Sequence, residues 1–293
     1  MRVLQARDDL GRPYATLLDW SAHPTVLGSS NRKVTADWPM VANEKLEQRY
    51  GGKVQIVPAT LGRTQPNDRG CPDKSVTDAD KKSLCALDEY AGRVVTRAEQ
   101  AVSGARRLTG APLVRTSSYL ITDLASNAVI MGLDYAGAPA GVPIYRATTP
   151  PWLTGNVLST VTGTALIGDV LVMSIPGEAY PQIPLEVRRL VPAKGFMTIG
   201  LSQDQLGYLI APYTAYTEPI RRTFFNQRGD QVDPISNDNY AFNASHTMGE
   251  RVICSLLRGA GDVLGKGLEF RGRHDTCFQF SNDLSSPEGA DTR

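Results

Sequence analysis

The sequence predicts an α/β fold, with a mixed, largely parallel sheet flanked by helices and a site at the carboxyl ends of the strands. Two observations carry this. Short apolar stretches alternate with amphipathic helical ones, the pattern of strand–helix–strand units. Four polar segments with chemistry-bearing side chains each follow a predicted strand, at the sheet edge where α/β folds gather their sites.

Residues 13–22, PYATLLDWSA, read as the first strand. From Trp38 to Tyr50, Trp38, Ala42, Leu46 and Tyr50 recur every four residues, an amphipathic helix. KVQIVPAT (53–60) is a second strand. The longest helix follows, with Leu84, Leu87, Ala91, Val94, Ala98, Ala101 and Ala105 in a 3–4 repeat. It starts at Thr77/Asp78, with Asp80 nearby as capping chemistry. Residues 113–149 read as a β-rich or irregular excursion ending in a Gly/Pro/Ala-rich linker. ALIGDVLVMSIPGE (165–178) reads as two strands joined through Gly168-Asp169. YPQIPLEVRRLVP is a helix with proline in its first turn, GFMTIGLS (195–202) another strand, and HTMGERVICSLLRGAG (246–261) a last helix. Residues 1–265 are predicted to form one domain and 266–293 a partly disordered tail.

The 293 residues suffice for a sizeable core. A net charge of +1, without a dense Lys/Arg block, gives no support to a nucleic-acid surface. No apolar run reaches the ~20 residues of a spanning helix, and the charged N-terminus does not read as a signal peptide. The four cysteines fall into local pairs, Cys71/Cys85 and Cys254/Cys277, without zinc-ribbon spacing. They are either disulfides or buried thiols. The polar setting of Cys71, NDRGCPDK, favours a Cys71–Cys85 bridge and hence an exported protein.

The polar segments are those around His23, LGRTQPND (61–68), PGEAYP (176–181) and LSQDQLGY (201–208). His23, Glu178 and Tyr208 supply an imidazole, a carboxylate and a phenol. The first two suit Zn2+, and a zinc-bound water ionises near neutral pH. The alternative is a structural histidine and a carboxylate at a helix start. A serine nucleophile has no G-x-S-x-G turn to support it, and phosphate-cradling glycine motifs are absent.

WSAHPTVLGSSNRKVTADWPM, IPGEAYPQIPLEVRRL, GLSQDQLGYLIAPYTAY and NASHTMGERV occur in this order. Together they resemble the catalytic domain of the neutral/alkaline non-lysosomal ceramidase family over roughly residues 10–260. The matching pieces are His23-Pro24, Thr35-Ala36-Asp37, Gly177-Glu178 with Arg188-Arg189, Gly200-Leu201 to Tyr208, and Ser245-His246-Thr247. The resemblance implies zinc-dependent hydrolysis of the amide of ceramide or a related N-acyl lipid by metal-activated water. It implies His23, Glu178 and Tyr208 as zinc ligands, and it supports the Cys71–Cys85 bridge. The family's other histidine ligand lies in an HTHS segment that precedes the HP motif. This chain has none, so the resemblance implies a domain incomplete at its N-terminus, with a leader upstream and a secreted, extracellular or periplasmic location.

The family's GDVSPN segment matches GRTQPN (62–67) and puts Gln65 at its serine position, which excludes a serine nucleophile there. His246 is either a proton donor or substrate-binding group, or the cap of the helix that follows it. Tyr240, like Tyr213 and Tyr216, is a candidate phenol for the substrate or oxyanion, or else ordinary packing. Arg188 and Arg189 read as structural, Asp37 as a residue that orients the His23 loop or supports a ligand, and His274 has no role. The expected partners are the lipid substrate and a membrane surface touched peripherally. Two alternatives remain, a catalytically silent ceramidase-like module and a metal-independent hydrolase with His246 as base.

Overall fold

The structure is a computed structural model that describes residues 1–108, 114–137, 144–147, 155–210, 242–245 and 247–266. His246, Tyr240, Tyr213, Tyr216, His274, Cys277 and nearly all of the 266–293 tail lie outside these. The chain forms two compact units, Met1–Arg107 and Leu108–Arg293.

The first unit is a three-stranded sheet in the order β1-β2-β3, from β1 (Arg2–Arg7), β2 (Pro13–Trp20) and β3 (Lys53–Pro58). Strands β1 and β2 pair antiparallel, whereas β2 and β3 are parallel because α1 (Trp38–Tyr50) crosses between them. Helix α1 starts where expected, with Asp37 at its N-cap, Pro39 in its first turn and Gly51 at its end. Helix α2 (Ala79–Ser103) is capped by Asp78, whose carboxylate accepts the Lys81 amide at 2.9 Å.

Both helices pack on the sheet face that carries Leu18, Val54 and Ile56. Trp38, Ala42 and Leu46 come from α1, and Leu87, Tyr90, Ala91, Val94 and Ala98 from α2. Trp38 meets Tyr90 edge-on, with ring centroids 5.5 Å apart. Burial pushes the Tyr90 phenol above its ordinary pKa, so it stays neutral as it accepts the Trp20 indole N–H. Leu84, expected on this face, is exposed, because it lies at the flank of the apolar stripe where α2 emerges from the disulfide loop.

Cys71 and Cys85 are disulfide-bonded across that loop. The outer edge of β3 is closed by side chains of α1: the Val54 amide donates to Glu47 Oε1 at 3.1 Å and the Ile56 amide to Asn43 Oδ1 at 3.0 Å.

The second unit is built on a five-stranded sheet. Its path is β4 (Val114–Leu124), β6 (Gly155–Ile167), β7 (Val170–Ser174) and β9 (Gly195–Ile199), with β5 (Ile144–Ala147) also paired to β6. β6 and β7 form the expected hairpin, with Gly168 at φ 61 in its turn. β7 and β9 run parallel across α4 (Gln182–Leu190), which carries Pro184 in its first turn. A separate two-residue parallel pair joins β8 (Glu178–Ala179) to β10 (Tyr208–Leu209). Helix α5 (Met248–Leu264) is buried almost throughout and packs on β4 and β6.

The α/β class holds, but the expectation of a largely parallel sheet does not. Pairings β1–β2, β4–β6, β5–β6 and β6–β7 are antiparallel, and the sheets are mixed. The reason is topological. Only strands separated by a crossover helix come back parallel, and β1, β4 and β5 were not read as separate strands. The stretch read as β-rich or irregular also contains α3 (Ala128–Tyr135), whose Ile130 amide is capped by Asn127 Oδ1 at 3.2 Å.

Candidate functional site

In the first unit, two of the four predicted segments come together at strand ends; the other two belong to the second unit. His23 follows β2 and Gln65 follows β3. The His23 amide donates to the Thr64 carbonyl at 3.1 Å, and the Thr25 hydroxyl donates to Gln65 Oε1 at 3.1 Å. One residue before each loop settles, the hydroxyls of Ser21 and Thr60 are 2.8 Å apart. His23 itself is half-buried, with Nε2 shielded from solvent, while Gln65 is exposed.

The carbonyl of His23 accepts the Trp38 indole N–H at 3.0 Å. Asp37 is buried, and both its oxygens accept backbone amides: Oδ1 from Val26 at 3.0 Å and from Trp38 at 2.9 Å, Oδ2 from Leu27 at 2.9 Å. Asp37 therefore does orient the His23 loop, and it does so through the backbone.

In the second unit, Glu178 and Tyr208 are direct partners in the parallel β8–β10 ladder. Paired strands lie about 4.8 Å apart, and residues in register project to the same side. A carboxylate and a phenol thus stand next to each other on one face. Two residues on, Tyr180 and Ile210 continue that face as a buried apolar pair against which Tyr208 packs. The alternate residues, Ala179 and Leu209, point the other way into the main core of the unit. Glu178 Oε1 accepts the side-chain amide of Gln205 at 3.2 Å, and its Oε2 is buried.

Three motif segments are laced together by backbone bonds here. The Glu178 amide donates to Gly207, the Leu206 amide to Pro176, the Leu201 amide to Gly177, and the Tyr208 amide to Phe242. Gly177 and Gly207 permit this closeness. A Cβ on Gly177 would lie 2.7 Å from the Gly207 carbonyl oxygen, and one on Gly207 (φ 75) would overlap that of Phe242.

The NASHTMGERV segment is anchored from beneath by two residues that sequence reasoning missed. Asp123, at the end of β4, pairs with Arg251 of α5 (Oδ1 to Nε 2.9 Å), and both are buried. Asp123 Oδ2 accepts the hydroxyls of Ser245 (2.6 Å) and Thr247 (2.5 Å). Asn127 Nδ2 donates to the Asn243 carbonyl at 2.7 Å. A buried aspartate 128 residues from its arginine leaves no local signal; the one available clue was an Arg in the first turn of the last helix, just before the apolar run VICSLL.

Arg188 and Arg189 are structural, as read. Arg188 stacks over Phe196, 5.5 Å from the ring centroid, and Arg189 pairs with Glu186 one turn back. Among the described residues, no three His, Cys, Asp or Glu side chains gather as a metal cluster. The donors that do stand together are the Glu178 carboxylate and the Tyr208 phenol, and oxygen donors of this kind fit a zinc set completed by imidazole. His23 belongs to the other unit.

No protein-family model matches the sequence, and no curated protein matches it. Solved structures do match in fold. The chain is similar to neutral ceramidase from Pseudomonas aeruginosa, with a TM-score of 0.62 and 12% identity, over 92% of this chain and 47% of that one. It is equally similar to a ceramidase complexed with C2, at TM-score 0.62 and 12% identity, over 92% of this chain and 49% of that one. The chain thus spans about half the length of the ceramidases it matches. At this identity the likeness concerns the fold alone, and over nine-tenths of its length this chain has the fold of part of a neutral ceramidase.

Proposed function

We propose that the chain is the catalytic portion of a zinc-dependent hydrolase that cleaves the amide of ceramide or a related N-acyl lipid. The observation that carries this is the in-register pairing of Glu178 with Tyr208 on one face of the β8–β10 ladder. Two residues named as metal donors from their sequence motifs are neighbours in the fold, and the ceramidase likeness supports the same reading.

Zinc would be held by His23, Glu178 and Tyr208 with a further histidine, and when bound it supplies a Lewis acid and an acidified water. The chain's own residues do the rest. Gln205 holds one oxygen of Glu178 and so orients the carboxylate. Tyr180 and Ile210 put buried apolar surface beside Tyr208, which lowers the local dielectric there. Gln65 offers an amide to the substrate where the ceramidase motif has serine. His246 is the candidate proton donor to the leaving amine and Tyr240 the candidate phenol for the developing oxyanion.

Residues 1–265 form the catalytic domain in this reading. The Cys71–Cys85 bridge supports an oxidising, extracellular or periplasmic location. No helix among the described residues is long and apolar enough to cross a membrane, and the lipid substrate is met at a membrane surface.

The test compares the protein with His23→Ala and Glu178→Ala for zinc content and for release of fatty acid from short-chain ceramide. Both substitutions should lower bound zinc and abolish turnover. Equal zinc in all three proteins would overturn the metal assignment. Zinc binding without turnover would favour the silent module.

A further inference from the structure

Asp37 has φ 56 and ψ −151, a backbone region that glycine enters freely and other residues enter only under strain. Capping a helix does not require this. Asp78 caps the longer α2 from an ordinary extended conformation, φ −65 and ψ 130, with a single bond to the Lys81 amide. Asp37 makes the local bond too, to Trp38, but most of its carboxylate is directed elsewhere. Oδ1 and Oδ2 reach back across the loop to the amides of Val26 and Leu27. The Asp37 amide is held in turn by the Thr35 hydroxyl at 3.0 Å. The very next residue, Trp38, is buried against Tyr90 and sends its indole N–H to the carbonyl of His23.

Residues 37 and 38 therefore send two tethers to one short segment, one to His23 itself and one to the amides that follow it. Glycine would relax the backbone and lose the carboxylate. A relaxed aspartate would cap α1 and lose its reach to residues 26 and 27. The strained conformation is the one that lets a single residue do both.

We infer that Asp37 is a positioning residue for His23, its strained backbone aiming the carboxylate and the adjoining indole so that the imidazole is held in one orientation. The functional consequence rests on the reading of His23 as a zinc ligand. A donor that samples several orientations is competent for only part of the time, and metal affinity falls by that fraction.

The experiment reads the His23 ring directly in metal-free protein by 1H–13C correlation NMR. With three histidines in the chain, His23→Ala assigns its signal. The unsubstituted protein should show one sharp His23 ring signal. Asp37→Gly should broaden or split it, and Asp37→Asn, which keeps the shape and one acceptor oxygen, should perturb it less. In parallel, competition against a chromophoric chelator should show zinc affinity about 10- to 100-fold weaker in Asp37→Gly, as for other partners that support a ligand, and partly restored in Asp37→Asn.

A His23 signal of unchanged position and width in Asp37→Gly overturns the inference, whatever the zinc result. If Asp37→Gly does not fold, an unchanged signal in Asp37→Asn does the same. If His23→Ala binds zinc as well as the unsubstituted protein does, the metal reading falls, and the ring signal still decides the role of Asp37.

Discussion

The buried Asp123–Arg251 pair is the feature of the second unit most open to a quantitative test. Asp123→Ala would leave the Arg251 guanidinium, the Ser245 and Thr247 hydroxyls and the Leu124 amide without an acceptor they now share. Arg251 is only 8% exposed, so water cannot readily replace the lost carboxylate. Removing one partner of a buried ion pair costs about 3–5 kcal/mol, because the remaining charge stays desolvated. The orphaned hydroxyls belong to the same network, so their loss is not added separately. With about 2–4 °C of melting temperature per kcal/mol for a unit of this size, the expected drop is roughly 6–20 °C. Thermal unfolding followed by circular dichroism measures it. Asp123→Ala combined with Arg251→Met removes the stranded charge and should recover at least half of the loss. A drop below about 2 °C for Asp123→Ala, or a double variant that melts lower than the single one, would refute the account of a charge held in place by its partner.

Two further outcomes follow from the geometry. Gly207→Ala forces a Cβ into the Phe242 carbonyl at a left-handed backbone position, so it should destabilise the second unit by more than ~2 kcal/mol; a melting curve that overlays the original would show that the loop has room to shift. Glu47 is held below its ordinary pKa, first by the Val54 amide and then by Lys53, so its folded form releases its proton more readily than its unfolded form. The stabilisation is therefore present above the ordinary carboxylate range and is lost as pH falls through the folded pKa. The melting difference between the unsubstituted protein and Glu47→Gln should close between pH 6 and about pH 3, and a difference independent of pH would disprove the link.

Much of this architecture is legible from local pattern. Helix α1 announces itself through Trp38, Ala42, Leu46 and Tyr50 at four-residue spacing, α2 through Asp78 at its start and a repeating apolar face behind, and the β6–β7 hairpin through Gly168-Asp169. The neighbourhood of Glu178 and Tyr208 is legible because both lie in polar segments that follow predicted strands, and the glycines before them let their two short strands approach. What escaped depends on distance or on angles. The sheets are less parallel than expected because β1 lies at the sheet edge with little buried surface, and β4 with its partner β6 needed no helix between them in space. The apolar, β-branched run AVIMGL looked like strand but is helical in α3, where Asn127 supplies the cap. Asp123 reads as one more polar residue at the end of a strand, since its partners lie more than 120 residues away. The strain at Asp37 is a backbone angle, and no residue type encodes it.

The β8–β10 ladder is joined by main-chain bonds, from Glu178 to Gly207 and from Tyr180 to Leu209. Its register is therefore carried by the backbone as well as by the side chains at 178 and 208. For a protein engineer these two positions form a socket. Two side chains substituted there are brought side by side by the backbone pairing, so the chemistry of the pair can be changed on the same scaffold.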